Sequence, residues 1–150
     1  MTISALLSPQ RIFLDTKITS KKKLLEFIAT AVAEQTQLSQ PRIFVNLLDR
    51  ERLGSTGLGR GFAVPHARLS DLDNAIGCFI RLDNAVKFEA PDNQPVDLIF
   101  AIIIPQEATD EHLQILSSLA SIFSRAEVCA AIRKAGDSAE IAQLIHAAEQ

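Results

Sequence analysis

The stretch LIFAIIIP, from Leu98 to Pro105, is apolar at every position. Successive residues of a β-strand face opposite sides, so a strand without a polar face has to be covered by protein on both. The run is far below the roughly 20 residues that cross a bilayer as a helix. It therefore predicts a core strand ended by Pro105, with AIGCFIRL before it and AVKF as a further short strand between the two, so that strands dominate from Ala75 to Ile104. The flanking segments carry helical periodicity. Thr19 and Ser20 offer N-caps to KKKLLEFIATAVAEQ, in which Leu24, Leu25, Phe27, Ile28, Ala31 and Val32 share a stripe. Ser39 and Pro41 open a second helix that Gly54 can stop. After Pro105 come TDEHLQILSSLASIF, AEVCAAIRKA and DSAEIAQLIHAAEQ, the last with Asp137 and Glu140 at capping-box spacing. RIFLD, from Arg11, reads as one more strand. This alternation predicts a sheet covered by helices, built as one domain over residues 1–150, since no repeat or linker divides the chain.

Composition removes several classes of function. Fifteen basic against eighteen acidic residues give a net charge of −3, Trp and Tyr are absent, and the one basic cluster, SKKKLL at Ser20, suits a solvated first helical turn. A nucleic-acid partner is not expected. The two cysteines, Cys78 and Cys129, lie in apolar patterns and point to buried thiols in a reducing compartment. The N-terminus shows no charged leader, and the expectation is a cytoplasmic protein without membrane insertion.

The segment between the second helix and the strands, GLGRGFAVPH from Gly57 to His66, is where chemistry concentrates. A Walker A loop would need lysine and a hydroxyl where Arg60 and Gly61 stand, and a dinucleotide fingerprint would need a strand before the glycines, whereas a helix precedes them. What Gly57, Gly59 and Gly61 can supply is backbone that approaches an anion closely, with the hydroxyls of Ser55 and Thr56 beside it. Pro65 fixes its own φ and extends Val64, which would present His66 on stiff backbone at a strand edge. From the residues alone, a histidine nucleophile above a phosphate cradle competes with an ordinary glycine-rich turn. A metal site made by His66, His112 and a carboxylate such as Asp110 or Glu111, in a metal-dependent hydrolase, is a third possibility, although no metal-binding spacing occurs. His112 would lie in the first turn of a helix capped by Thr109, close to the end of the core strand. His146 falls off its helix's apolar stripe and should face water.

Three segments, DRERLGSTGLGRGFAVPH, FEAPDNQPVDLIFAIIIP and EHLQILSSLASIF, resemble in order the signatures of the enzyme IIA domains of the bacterial phosphoenolpyruvate phosphotransferase system, of the fructose, mannitol and nitrogen-regulatory type. The likeness runs from about Leu7 to about Ile145, and STGLG with DNQPVDLIF is most similar to the nitrogen-regulatory branch. The resemblance implies a mixed β-sheet with helices on both faces in three layers. It implies that His66 accepts a phosphoryl group from a histidine phosphocarrier protein, that His112 is the second active-site histidine, and that Arg50 is the arginine ahead of the glycine segment, with Arg60 and Arg68 as looser candidates. No cofactor is implied. The next partner would be a regulatory or transport protein, or an enzyme IIB in a fructose-type domain. Where the family has glycine after the histidine this chain has Ala67, which would be strained if the position needs φ > 0.

Overall fold

In the computed structural model, which describes residues 2–150, six strands form one mixed sheet and five α-helices cover it. The strands are β1 (Ile12–Thr16), β2 (Gly57–Gly59), β3 (Phe62–Ala63), β4 (His66–Leu69), β5 (Ile76–Val86) and β6 (Val96–Pro105). The helices are α1 (Lys21–Thr36), α2 (Gln40–Leu53), α3 (Asp110–Phe123), α4 (Ala126–Lys134) and α5 (Ser138–Ala148). Two single-turn 3-10 helices, Ser4–Leu6 and Pro9–Arg11, precede β1. The strand order is β1-β5-β6-β3-β2, with β4 also paired to β6.

Strand β6 divides the core in two. Its alternate residues Ile99, Ala101 and Ile103 pack with Leu24, Leu25, Ile28 and Ile43 of α1 and α2, while Leu98, Phe100, Ile102 and Ile104 pack with Leu119, Ile132 and Ile141 of α3, α4 and α5. The fully apolar sequence of this strand thus answers the burial of both its faces. On one edge β6 runs antiparallel to β5; on the other it runs parallel to β3 and β4. Phe62 opposite Leu98 and His66 opposite Ile102 have the same register, so β3 and β4 are one line of chain broken at Val64-Pro65. Pro65 has no N–H to give, but its carbonyl still accepts from Ile102.

Helix starts follow the cap chemistry of the sequence. The side chains of Ser20, Ser39 and Asp137 accept from the backbone N–H three residues on, of Lys23, Arg42 and Glu140. Two strand expectations change. AVKF makes no separate strand: Val86 ends β5, opposite Val96, after a register shift beyond Arg81. The glycine segment is not a loop but the β2–β3 hairpin, whose turn holds Arg60 at φ 58° and Gly61 at φ 80°. Here the glycines serve the hairpin turn.

Because Ile102 is fully buried while Leu58 of the hairpin is half-exposed, Ile102→Ala should lower unfolding stability by about 2–5 kcal/mol. Leu58→Ala should change it by no more than about 0.5 kcal/mol. Urea denaturation of both variants measures the contrast.

Candidate active site

His66 opens β4. Ala67 and Leu69 point into the α1–α2 core, so alternation turns His66 and Arg68 the other way, into a groove of 460 Å³ that Arg50, Leu53, Leu113 and Leu116 also line. The ring is held at both nitrogens. Nδ1 lies 2.9 Å from the carbonyl of Val64, and a carbonyl only accepts, so Nδ1 carries the proton. Nε2 is left with its lone pair, toward which Arg50 Nε–H donates at 3.3 Å.

The Val64 carbonyl is available for a local reason. Val64 N–H donates to the Thr56 carbonyl on the hairpin side, and the chain before Thr56 has turned away into the end of α2. The carbonyl of Val64 thus lies past the reach of β2, and the His66 ring takes it. Burial, the largest influence, pushes the His66 pKa below its ordinary 6.5; the Val64 hydrogen bond and Glu51 oppose this, and Arg50 and Arg68 add to it. The shift favours the neutral ring.

Arg50 sits in the last turn of α2 and is fixed by a second bond, from Nη1 to the carbonyl of Gly54 at 2.8 Å. His112 occupies the third position of α3. The N–H of Thr109 donates to His112 Nδ1 at 3.2 Å, so the neutral ring keeps its proton on Nε2, the opposite arrangement to His66. No hydrogen bond joins His112 to His66 or Arg50 among the described residues, but its chain neighbour Leu113 borders the groove.

The glycine cradle is not built at this ring. The Gly61 carbonyl accepts from the N–H groups of Asp97 and Leu98, four residues before Ile102, which puts the hairpin turn roughly 13 Å along the sheet from His66 at ~3.3 Å per residue. Arg60 goes with the turn: its N–H donates to Asp92 and its carbonyl accepts from Arg133. A Cβ on Gly57 would come within 2.9 Å of Ala90, on Gly59 within 3.4 Å of Asp92, and on Gly61 within 2.5 Å of Arg133. Close packing and turn geometry therefore explain all three glycines. Ser55 Oγ donates to the Phe88 carbonyl, and both the N–H and the hydroxyl of Thr56 donate to the buried carboxylate of Glu51. The sequence reading missed Glu51 and the Val64 carbonyl; a carboxylate beside Arg50 and five residues before a threonine was the available signal.

Ala67 is extended in β4, opposite Ile103, and carries no strain. The metal-hydrolase alternative loses its ligand set: among the described residues no three His, Cys, Asp or Glu side chains are grouped to hold a metal ion, and a guanidinium occupies the free nitrogen of His66. His146 is exposed, with Ser4 Oγ 3.2 Å from its Nδ1. No single helix among the described residues is long and apolar enough to cross a membrane.

The sequence matches the family model described as the phosphoenolpyruvate-dependent sugar phosphotransferase system, EIIA 2, over residues 5–148. The chain belongs to this family. Among EIIA relatives, the nitrogen regulatory protein of Pseudomonas aeruginosa is 40% identical over 144 residues, spanning 95% of this chain and 94% of its own. The crystal structure of nitrogen regulatory protein IIA-Ntr from Neisseria meningitidis is 39% identical with a TM-score of 0.92, over 95% of this chain and 98% of that one. The fructose-specific EIIABC component of Bacillus subtilis is 31% identical over 85% of this chain, which spans 20% of that longer protein. The EIIA domain described here is of the nitrogen-regulatory type, with the mixed, helix-covered sheet of that fold.

A depressed histidine pKa has a direct signature. The His66 ring should titrate below 6.5 by NMR, and Arg50→Gln, which removes a charge opposing the imidazolium, should move the midpoint up. Since the unfolded chain takes up this proton first, at about 6.5, acidification through that range should also lower the stability of the fold.

Proposed function

We propose that this EIIA protein is a phosphohistidine carrier that accepts a phosphoryl group on Nε2 of His66 from a histidine phosphocarrier protein and presents it, or its absence, to regulatory clients. The observation that supports this is the fixed tautomer: Nδ1–H on the Val64 carbonyl leaves one lone pair, on the groove side, beside a guanidinium. Histidine is an accepted covalent nucleophile, and phosphoryl transfer depends chiefly on positioning and charge stabilisation.

In the transfer step the Nε2 lone pair forms the new P–N bond while the P–N bond to the donor's ring breaks, its electron pair returning to that ring. The His66 ring gains positive character, which the Nδ1–H bond to Val64 stabilises. Arg50 exchanges Nε2 for a phosphoryl oxygen without leaving Gly54, a charge-assisted contact formed as negative charge gathers on the equatorial oxygens. His112, with its proton on Nε2, supplies a donor from the α3 side. Leu53, 87% exposed, and Leu113, 44% exposed, flank the groove and suit the apolar contacts of a protein partner. In the nitrogen-regulatory branch such partners are regulatory or transport proteins; in a sugar branch the acceptor is an enzyme IIB. The greater identity to nitrogen regulatory proteins favours the former, in a cytoplasmic setting and with no cofactor.

The test is incubation with phosphoenolpyruvate, enzyme I and the phosphocarrier, followed by mass spectrometry of acid-labile phosphate. His66→Ala should abolish labelling with the fold retained. Arg50→Ala should slow acceptance by about 10²-fold and His112→Ala by up to about 10²-fold, with the phosphate still on His66. Full labelling of His66→Ala would overturn the assignment.

A further inference from the structure

Glu51 follows Arg50 in the last turn of α2, yet its side chain goes the other way, into the protein, where the residue is 7% exposed. A buried carboxylate has to be matched by donors. Three meet it: the N–H of Thr56 at 3.0 Å, the hydroxyl of Thr56, and Nζ of Lys21 at 2.8 Å. Lys21 lies 4.4 Å over the Phe88 ring and donates to the Phe88 carbonyl at 3.4 Å, so the basic residue expected to be solvated anchors α1 to this carboxylate.

Thr56 is the link to the nucleophile. Its carbonyl accepts the N–H of Val64 at 3.0 Å, and the carbonyl of Val64 accepts the Nδ1–H of His66 at 2.9 Å. The chain of contacts runs from Glu51 through Thr56 and Val64 to His66, with a single hydrogen bond at each of the last two links. Shifting Thr56 moves Val64, and a displaced Val64 carbonyl no longer selects Nδ1 for the proton. Arg50 is tied to the same turn of helix, so one element positions the guanidinium on one side of the ring and, through Glu51, the tautomer on the other.

We infer that Glu51 is a positioning residue for phosphoryl transfer, acting through Thr56 and the Val64 carbonyl to hold His66 in the Nδ1–H form with Nε2 facing the groove. The inference rests on His66 being the phosphoryl acceptor, but its central observable needs no phosphate. Removing the Glu51 charge or the Thr56 hydroxyl should raise the share of the Nε2–H tautomer, because the carbonyl that distinguishes the two nitrogens is no longer fixed. Acceptance should fall roughly 10- to 100-fold, as small misplacements of a reacting group do, while KM for the phosphocarrier stays the same, since both residues are buried and neither lines the groove.

The experiment records imidazole ¹⁵N shifts of His66 well above its titration, together with rates of acceptance from the phosphorylated histidine phosphocarrier, for wild type, Glu51→Gln, Thr56→Val and Thr56→Ser. The expected result is a tautomer shift with reduced kcat in Thr56→Val, both restored in Thr56→Ser, and the same change in Glu51→Gln. Should Glu51→Gln fail to fold, the Thr56 pair carries the comparison. A rate loss with unchanged tautomer and lowered melting temperature would overturn the inference in favour of a purely structural carboxylate, as would unchanged rates and shifts. A tautomer shift in a protein whose wild type accepts no phosphate would keep the coupling of Glu51 to the His66 tautomer but refute the phosphocarrier function, and with it a part for Glu51 in transfer.

Discussion

Strand β6 is the constraint on which everything else hangs. With both faces buried it requires two helical layers, and with both edges paired it sets the register of its neighbours. The line of chain from Phe62 to Leu69 lies along one edge in unbroken register, so Pro65 interrupts the ladder without shifting it. That combination puts a histidine at a defined point of a rigid sheet and at the same time leaves a main-chain carbonyl beside it without a strand partner. The position of His66 comes from the sheet; its proton comes from the gap in the sheet.

The legible parts of the sequence were those governed by local chemistry. Helix starts could be read because Ser20, Ser39 and Asp137 act on N–H groups three residues away, and β6 could be read because burial on two faces leaves no polar positions. The glycines were ambiguous for a physical reason. A residue free to take φ > 0 serves an anion nest and a hairpin turn equally well, and the choice depends on which strand the segment meets. Gly61 meets the beginning of β6 and His66 its later half, a register that no local pattern encodes. AVKF was misplaced similarly, since Val86 is held in β5 by its pairing with Val96 across the sheet.

Arg50 and His66 could be placed together only through family resemblance, whereas Glu51 and the Val64 carbonyl escaped it. One is a buried carboxylate with no sequence pattern of its own, and the other is a main-chain atom present in every residue. Their connection is visible from where hydrogen bonds go: each buried polar group has to be matched, and tracing the matches leads from α1 to His66.

The electrostatics around His66 are arranged as an opposition. Arg50 and Arg68 press against a cationic ring and Glu51 favours it, with burial deciding the outcome for the neutral form. In the proposed function, phosphorylation would invert this balance. A phosphoryl group brings roughly −1.5 to −2 charges, so the arginines that oppose an imidazolium would become partners of what the ring carries, and the positive ring character stabilised by Val64 would be compensated within the same residue. Arg50 could not keep Nε2 with phosphorus bound there, but its bond to the Gly54 carbonyl would let the guanidinium pivot at the end of α2 instead of withdrawing. The two states of the site would then differ in the direction of one guanidinium and in the charge at the groove floor, beside the exposed Leu53. A protein docking over that leucine would meet either a half-buried cation or an anion already part-paired, and could distinguish the two without any change in the sheet beneath.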